Sequence, residues 1–413
     1  MVLIEVVLVV LVIFFSVYFS FKFKFMQFKA FTKVKDESRD GISPRQTLML
    51  TIATHVGTGN IVGVLVAILY GGAGAIFWMW IFSLFSAILS VMENTLSQYF
   101  KVRINGEVRG GPSYYIERGL RNPFLANMFA LSVVVSFGFL FPPIQMNAIV
   151  NIFKIGFGIP VIIVGGLVIL LISLVVFNGI KSIIGFTEKV VPIMAVFYLG
   201  IGLYVIIMNL SEVPDILIRI VLDAFNGDST IGGTFGVAIS YGIRRGLFSN
   251  EAGIGTTPNI SAISNAKKPI TQGMYQSLGV FIDTIVICTI TALIILLSDV
   301  DLTIYSGVDA LMAVFTDHFN GLGNELLGLV ILFFSLTTLI GVYYMGETNV
   351  IYLNKKRRYL YLYRCLFVVS MTMGIFLSLS SIWNFADLGL LIMLAINIYA
   401  LYNLRNIFKV LAE

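Results

Sequence analysis

Long apolar runs, separated by short polar segments, make up most of the chain. A helix that crosses a bilayer needs about 20 mostly apolar residues, and the pattern predicts eleven. A leading span is expected over Val2–Phe21. Spans 1 to 5 are expected over Gln46–Tyr70, Ala75–Tyr99, Ala126–Phe153, Ile159–Phe177 and Val190–Met208. Spans 6 to 10 are expected over Ile231–Ile260, Ser277–Leu297, Glu325–Tyr352, Leu360–Leu379 and Trp383–Leu401. Val213–Phe225 and Thr303–Phe319 read as surface helices between spans. The stretch Phe21–Phe28 alternates phenylalanine with polar residues and reads as an interfacial segment.

Composition agrees with this pattern. Hydrophobic residues are 58% of the 413 and charged residues 12%, with a mean hydropathy of +0.94. A soluble domain is about half apolar and a quarter charged. The fold class is therefore an all-α integral membrane protein, with the lipid bilayer as its solvent. A disordered chain, a nucleic-acid binder and a disulfide scaffold are excluded. Both cysteines, Cys288 and Cys365, lie in apolar runs. The leading run carries Glu5 and no basic residue before it, and no cleavage site is evident, so it reads as a retained helix.

Charge gives an orientation. Of the 27 lysines and arginines, all but Lys154, Arg219, Arg244 and Arg245 fall on one side of an eleven-span arrangement. The positive-inside rule then puts the amino terminus outside the cell membrane and the carboxyl terminus in the cytoplasm.

Two spans are interrupted. Span 1 holds Thr54, His55, Gly57, Thr58, Gly59, Asn60 and Gly63. Its glycines let the backbone leave helical geometry. The half-helix that resumes after such a break presents free N–H groups and suits a carboxylate; the carbonyls before it suit a cation. Span 6 holds Arg244, Arg245, Gly246, Glu251, Gly253 and Gly255. Charges at membrane depth are costly and should face a cavity or one another. Span 1 opens one set of five helices and span 6 a second, inverted set. Paired interrupted spans in inverted repeats point to a secondary transporter with its site near the membrane midplane. The resulting organisation is an extra amino-terminal helix and basic linker (1–40), a first repeat (41–210), an outer connection (211–230), a second repeat (231–404) and a cytoplasmic tail (405–413). Thr337 and Thr338 of span 8 offer oxygens to a cation, or else bond back to their own helix.

At these residues the chain resembles the alanine or glycine:cation symporter family, whose fold is of the leucine-transporter type. The resemblance runs from span 1 to span 10. It is carried by VGTGNIVG at Val56–Gly63, GGAGAIFWMW at Gly71–Trp80, GGPSYYIERGL at Gly110–Leu120, TEKVVPIMAVFY at Thr187–Tyr198, RGLFSNEAGIG at Arg245–Gly255, GVFIDT at Gly279–Thr284 and FSLTTLIGVYYMGE at Phe334–Glu347. It implies a sodium-driven importer of a small neutral amino acid, with Na⁺ as coupling ion and no organic cofactor. The substrate site it implies comprises Gly57, Thr58, Gly59, Asn60, Gln145, Phe248, Ser249, Asn250 and Thr337. The amides of Thr58 and Gly59 would take the carboxylate, and Phe248 would cap the side chain. The implied sodium site comprises the carbonyls of Ala53, Val56 and Phe334 and the hydroxyls of Thr337 and Thr338. Arg245, Glu251 and Asp387 are the candidate gate.

The chain departs from the family at His55, often arginine, and Ala73, often proline. Pro142-Pro143 should kink span 3 beside Gln145. Asn397 lacks its usual preceding proline. An enzyme is disfavoured, since no His-Glu-x-x-His or Gly-x-Ser-x-Gly motif occurs. A channel would show a pore-lining repeat. Proton coupling through His55 or Glu251 is the alternative within the transporter class. No required protein partner is evident.

Overall fold

A computed structural model describes residues 2–33, 41–225, 235–305, 307–376 and 380–413. Lys35 and Arg39 of the basic linker, and 226–234 with the start of span 6, lie outside the described residues.

The helices are α1 (Val2–Lys22), α2 (Pro44–His55), α3 (Val62–Gly71), α4 (Gly74–Phe100), α5 (Pro112–Gly119), α6 (Pro123–Phe157), α7 (Val161–Phe177), α8 (Ile180–Met208) and α9 (Val213–Asp223). There follow α10 (Phe235–Asn250), α11 (Pro258–Ser261), α12 (Pro269–Leu296), α13 (Val308–Phe319), α14 (Gly323–Leu353), α15 (Arg357–Phe376) and α16 (Ser380–Ala412). A helix lies in each of the eleven expected spans. By length and apolarity, seven helices among the described residues can cross a membrane, or nine if two bent pairs each count as one. α7 is apolar but has 17 residues, and α10 carries two arginines.

Local chemistry sets several ends. Ser43 caps α2 in a reciprocal capping box with Gln46, and Pro44 starts it. Gly158 closes α6 in the left-handed region at φ 66°. Pro142 and Pro143 follow a π turn over Ser136–Leu140. The wider turn accommodates the amide that each proline lacks and the crowding of its ring.

α14 is the central helix; its face from Phe334 to Asn349 is buried throughout. The outer faces of α7 and α8 expose Ile162, Leu167, Leu174, Val196 and Leu203, a surface that lipid covers at no cost.

Two expectations are corrected, while the fold is all-helical as expected, apart from a short antiparallel hairpin of Val102–Ile104 and Glu107–Arg109. Its turn is Asn105-Gly106, with φ 51° and 86°, the pair that a two-residue hairpin turn favours. α8 begins ten residues before span 5 was expected to, so Lys181 and Lys189 sit on the helix rather than in a loop. Span 6 does not unwind at Gly246. α10 is unbroken through Asn250, and Gly246 packs on α4, where a Cβ would lie 3.2 Å from Phe82. The break begins at Glu251 (φ 51°) and runs through Gly253 and Gly255, both at φ 89°. The segment after α1, expected at the interface, turns sharply at Lys24 and Phe25, φ 52° and 51°, and docks on α4. Gln27 donates to Ser20 Oγ (2.9 Å) and to the Leu84 carbonyl (3.2 Å). Of its phenylalanines, Phe21, Phe28 and Phe31 stay exposed.

Candidate transport site

Span 1 is broken where its glycines cluster. α2 stops at His55, a single 3-10 turn covers Thr58–Asn60, and the two halves meet at 64°. The Gly57 N–H donates to Asn60 Oδ1 at 3.1 Å, which holds the turn closed. Gly57 has to be glycine for packing: a Cβ there would lie 2.5 Å from Thr338 Oγ1. At Gly59 a Cβ would meet nothing within 4 Å, because that backbone faces a cavity.

The cavity measures about 60 Å3 and draws on five spans. The span 1 break gives Thr54, His55, Gly57, Thr58 and Gly59, and α3 gives Gly63. α6 gives Phe141 and Gln145; α10 and the break after it give Arg245, Phe248, Ser249 and Glu251. α14 gives Thr338 and Val342, and α16 gives Asp387 and Leu390. Thr58 Oγ1 donates to Gln145 Oε1 at 3.2 Å, so the two prolines before Gln145 leave it facing the break. His55 Nε2 lies 3.9 Å from Glu251 Oε2.

Of the residues expected at the site, Gly57, Thr58, Gly59, Gln145, Phe248, Ser249, Thr338, Arg245, Glu251 and Asp387 meet in this cavity. Asn60 turns the other way. Its Nδ2 donates to Asp283 Oδ1 (2.6 Å) and Ser249 Oγ (3.2 Å) behind the cavity. Asn250 Nδ2 donates to Thr284 Oγ1 (3.0 Å), and its Oδ1 accepts from the Ala252 N–H (3.1 Å). Thr337 bonds back to its own helix, donating to the carbonyls of Phe333 (2.9 Å) and Phe334 (3.1 Å). Thr338 instead reaches across to the Thr54 carbonyl at 3.2 Å. Ala53 and Val56 are buried at the carboxyl end of α2, where the last carbonyls of a helix lack intrahelical partners.

Sequence reasoning passed over three buried acids. Asp283, in a π stretch of α12, accepts from Asn60, Ser249 and Thr284 and so ties both interrupted spans to α12. Glu93 of α4 accepts from Asn397 Nδ2 (2.8 Å), Thr257 Oγ1 (3.3 Å) and the Gly253 N–H (3.4 Å). It thereby pins the span 6 break to α4 and α16. Glu347 of α14 pairs with Arg109 at 2.7 Å and with Arg364 at 3.6 Å. The available signal was an ionisable residue inside an apolar run, which holds for Glu93 and Asp283.

A profile of the Sodium:alanine symporter family matches residues 1–413. The chain belongs to this family. Its members are sodium-coupled amino-acid symporters of the membrane, not enzymes. This symporter is 38% identical to a probable sodium/glutamine symporter, GlnT, of Bacillus subtilis, over 97% of this chain and 86% of that one. It is 36% identical to the sodium/alanine symporter AgcS of Methanococcus maripaludis, over 87% and 81%. Its structure is similar to that of a manganese transporter of Eremococcus coleocola, with a TM-score of 0.57 over 91% of this chain and 80% of that one, at 14% identity. That likeness concerns the fold, which is of the leucine-transporter type.

Proposed function

We propose that this symporter imports a small neutral amino acid, alanine or glycine, together with Na⁺, by alternating access between two inverted five-helix repeats. The observation that carries the reading is the span 1 break. Gly59 borders open space at the start of the resumed half-helix, where amides and helix dipole favour a carboxylate. The hydroxyl of Thr338 stands against the other side of the same break, where it and the α2 carbonyls offer oxygens to a hard cation. Na⁺ bound there would stiffen the break and so favour carboxylate binding, and linkage requires the reverse as well.

Size favours alanine or glycine over glutamine. A water needs roughly 10–15 Å3 by this measure, so a cavity of about 60 Å3 suits a handful of heavy atoms. Loop charge supports an outside amino terminus and a cytoplasmic carboxyl terminus.

Uptake of labelled alanine into proteoliposomes should require an inward Na⁺ gradient. Uptake that persists on a proton gradient alone would refute the reading. A second reading, proton coupling, is favoured by the approach of His55 to Glu251 inside the cavity. A dependence of uptake on pH, with Na⁺ held fixed and His55→Gln abolishing it, would select that reading.

A further inference from the structure

A polar seam runs from the cavity to one end of the bundle between α2 and α12. On α2 its residues are Thr47, Thr51 and His55, four apart and so on one face. On α12 they are Gln272 and Gln276, continued by Gly279, where a Cβ would lie 3.2 Å from Leu48 and 3.9 Å from Thr51. Gln272 Nε2 donates to Thr47 Oγ1 at 2.9 Å. All five polar residues are buried, Gln276 to 1% exposure.

Their hydrogen bonding is incomplete. Thr51 Oγ1, Gln272 Oε1, both amide atoms of Gln276 and both ring nitrogens of His55 make no hydrogen bond among the described residues. Single gaps occur elsewhere among the described residues, as at Ser86 Oγ and Asn94 Oδ1, but the seam gathers six such atoms on two facing helices. Asn349, equally buried, donates to Asn259 Oδ1 and the Met345 carbonyl and accepts from Ser113. Buried polar groups without partners are costly, and here they fall in line between the cavity and solvent. At the far end, Gln46 Nε2 donates to the exposed Glu188, beside Arg45.

We propose that this seam is the hydrated route along which the coupling cation passes between the cavity and the Pro44 end of the bundle. The inference rests on reading the cavity as the transport site. Hydroxyl and amide oxygens suit a hard monovalent cation and its water. Being neutral, they hold it weakly enough for it to leave. Loop charge makes this end cytoplasmic.

The test uses the full chain in vesicles of both orientations. Gln276→Cys and Gln272→Cys are treated with a positively charged, membrane-impermeant methanethiosulfonate, with the parent chain giving the background of Cys288 and Cys365. Labelling above that background from the cytoplasmic face, slowed by raised Na⁺, is the expected result. No labelling above background from either face, in a variant that retains uptake, overturns the route. Gln272→Cys, one turn nearer the end, decides the matter if Gln276→Cys does not fold. Gln276→Leu should slow uptake about tenfold, the rate equivalent of one lost hydrogen bond to the water shell of the passing ion, with half-activation by Na⁺ unchanged. Unaltered uptake in Gln276→Leu also overturns the route. Sodium-independent uptake in the parent refutes the symport reading instead, and that is measured separately from labelling.

Discussion

Asn60 Nδ2 donates to Asp283 Oδ1 at 2.6 Å, while Asn60 Oδ1 accepts from the Gly57 N–H at 3.1 Å. One buried side chain thus closes the turn in span 1 and fastens it to α12. Ser249, on the last turn before the span 6 break, donates to the same carboxylate. The two interruptions therefore share an anchor, and the shape of the cavity depends on a group that does not line it.

Asn60→Ala removes that anchor and leaves Asp283 and the Gly57 amide short of partners in a buried place. Unsatisfied groups of this kind cost about 1–3 kcal/mol each. The melting temperature in detergent should fall and alanine uptake should drop at least about tenfold. A variant with wild-type uptake would show that the turn holds without Asn60.

Gly57 and Gly59 should fail for different reasons. Gly57→Ala collides with Thr338 at 2.5 Å, so stability falls with transport. Gly59→Leu meets no protein atom near its Cβ, so the fold should survive while alanine binding is lost. Thermal shift with and without alanine separates the two. A Gly59→Leu protein that still binds alanine normally would place the carboxylate elsewhere.

The adjacent threonines should also differ. Thr338→Ala removes the hydroxyl that reaches Thr54 across the break, so the Na⁺ concentration for half-maximal uptake should rise more than the maximal rate falls. Thr337→Ala removes a hydroxyl already bonded to its own helix, and its effect should be smaller. Sodium titrations of uptake compare them directly. Equal effects would mean that both hydroxyls serve the ion.

Arg109 is buried to 2% exposure and tied to Glu347 and Thr348, so it bolts the hairpin to α14. Removing one partner of a buried pair costs about 3–5 kcal/mol when the other charge is left uncompensated; Glu347 keeps Arg364 at 3.6 Å, so the cost here falls toward the lower end of that range. Arg109→Ala should therefore lower the melting temperature markedly. Arg109→Lys should rescue it poorly, since one ammonium cannot reach Glu347 and Thr348 with the same fork. The test is thermal unfolding of the three proteins side by side.

The sequence by itself determined the membrane character, the helical class and the break in span 1. These follow from local rules: apolar run length, and glycines interleaved with polar residues. It also named most of the side chains that meet in the cavity, through motifs around the breaks. It could not determine which way a side chain faces. Asn60 and Ser249 both lie beside a break, yet Asn60 turns away from the cavity to Asp283 and Ser249 lines it. Gly246 was indistinguishable from the glycines of the span 6 break, because packing on α4 and unwinding both call for a missing Cβ. The anchoring roles of Asp283, Glu93 and Arg109 were decided only by the tertiary structure. Their partners on other helices lie at separations of 34 to 304 residues, and a buried charge finds its place only when distant helices close around it.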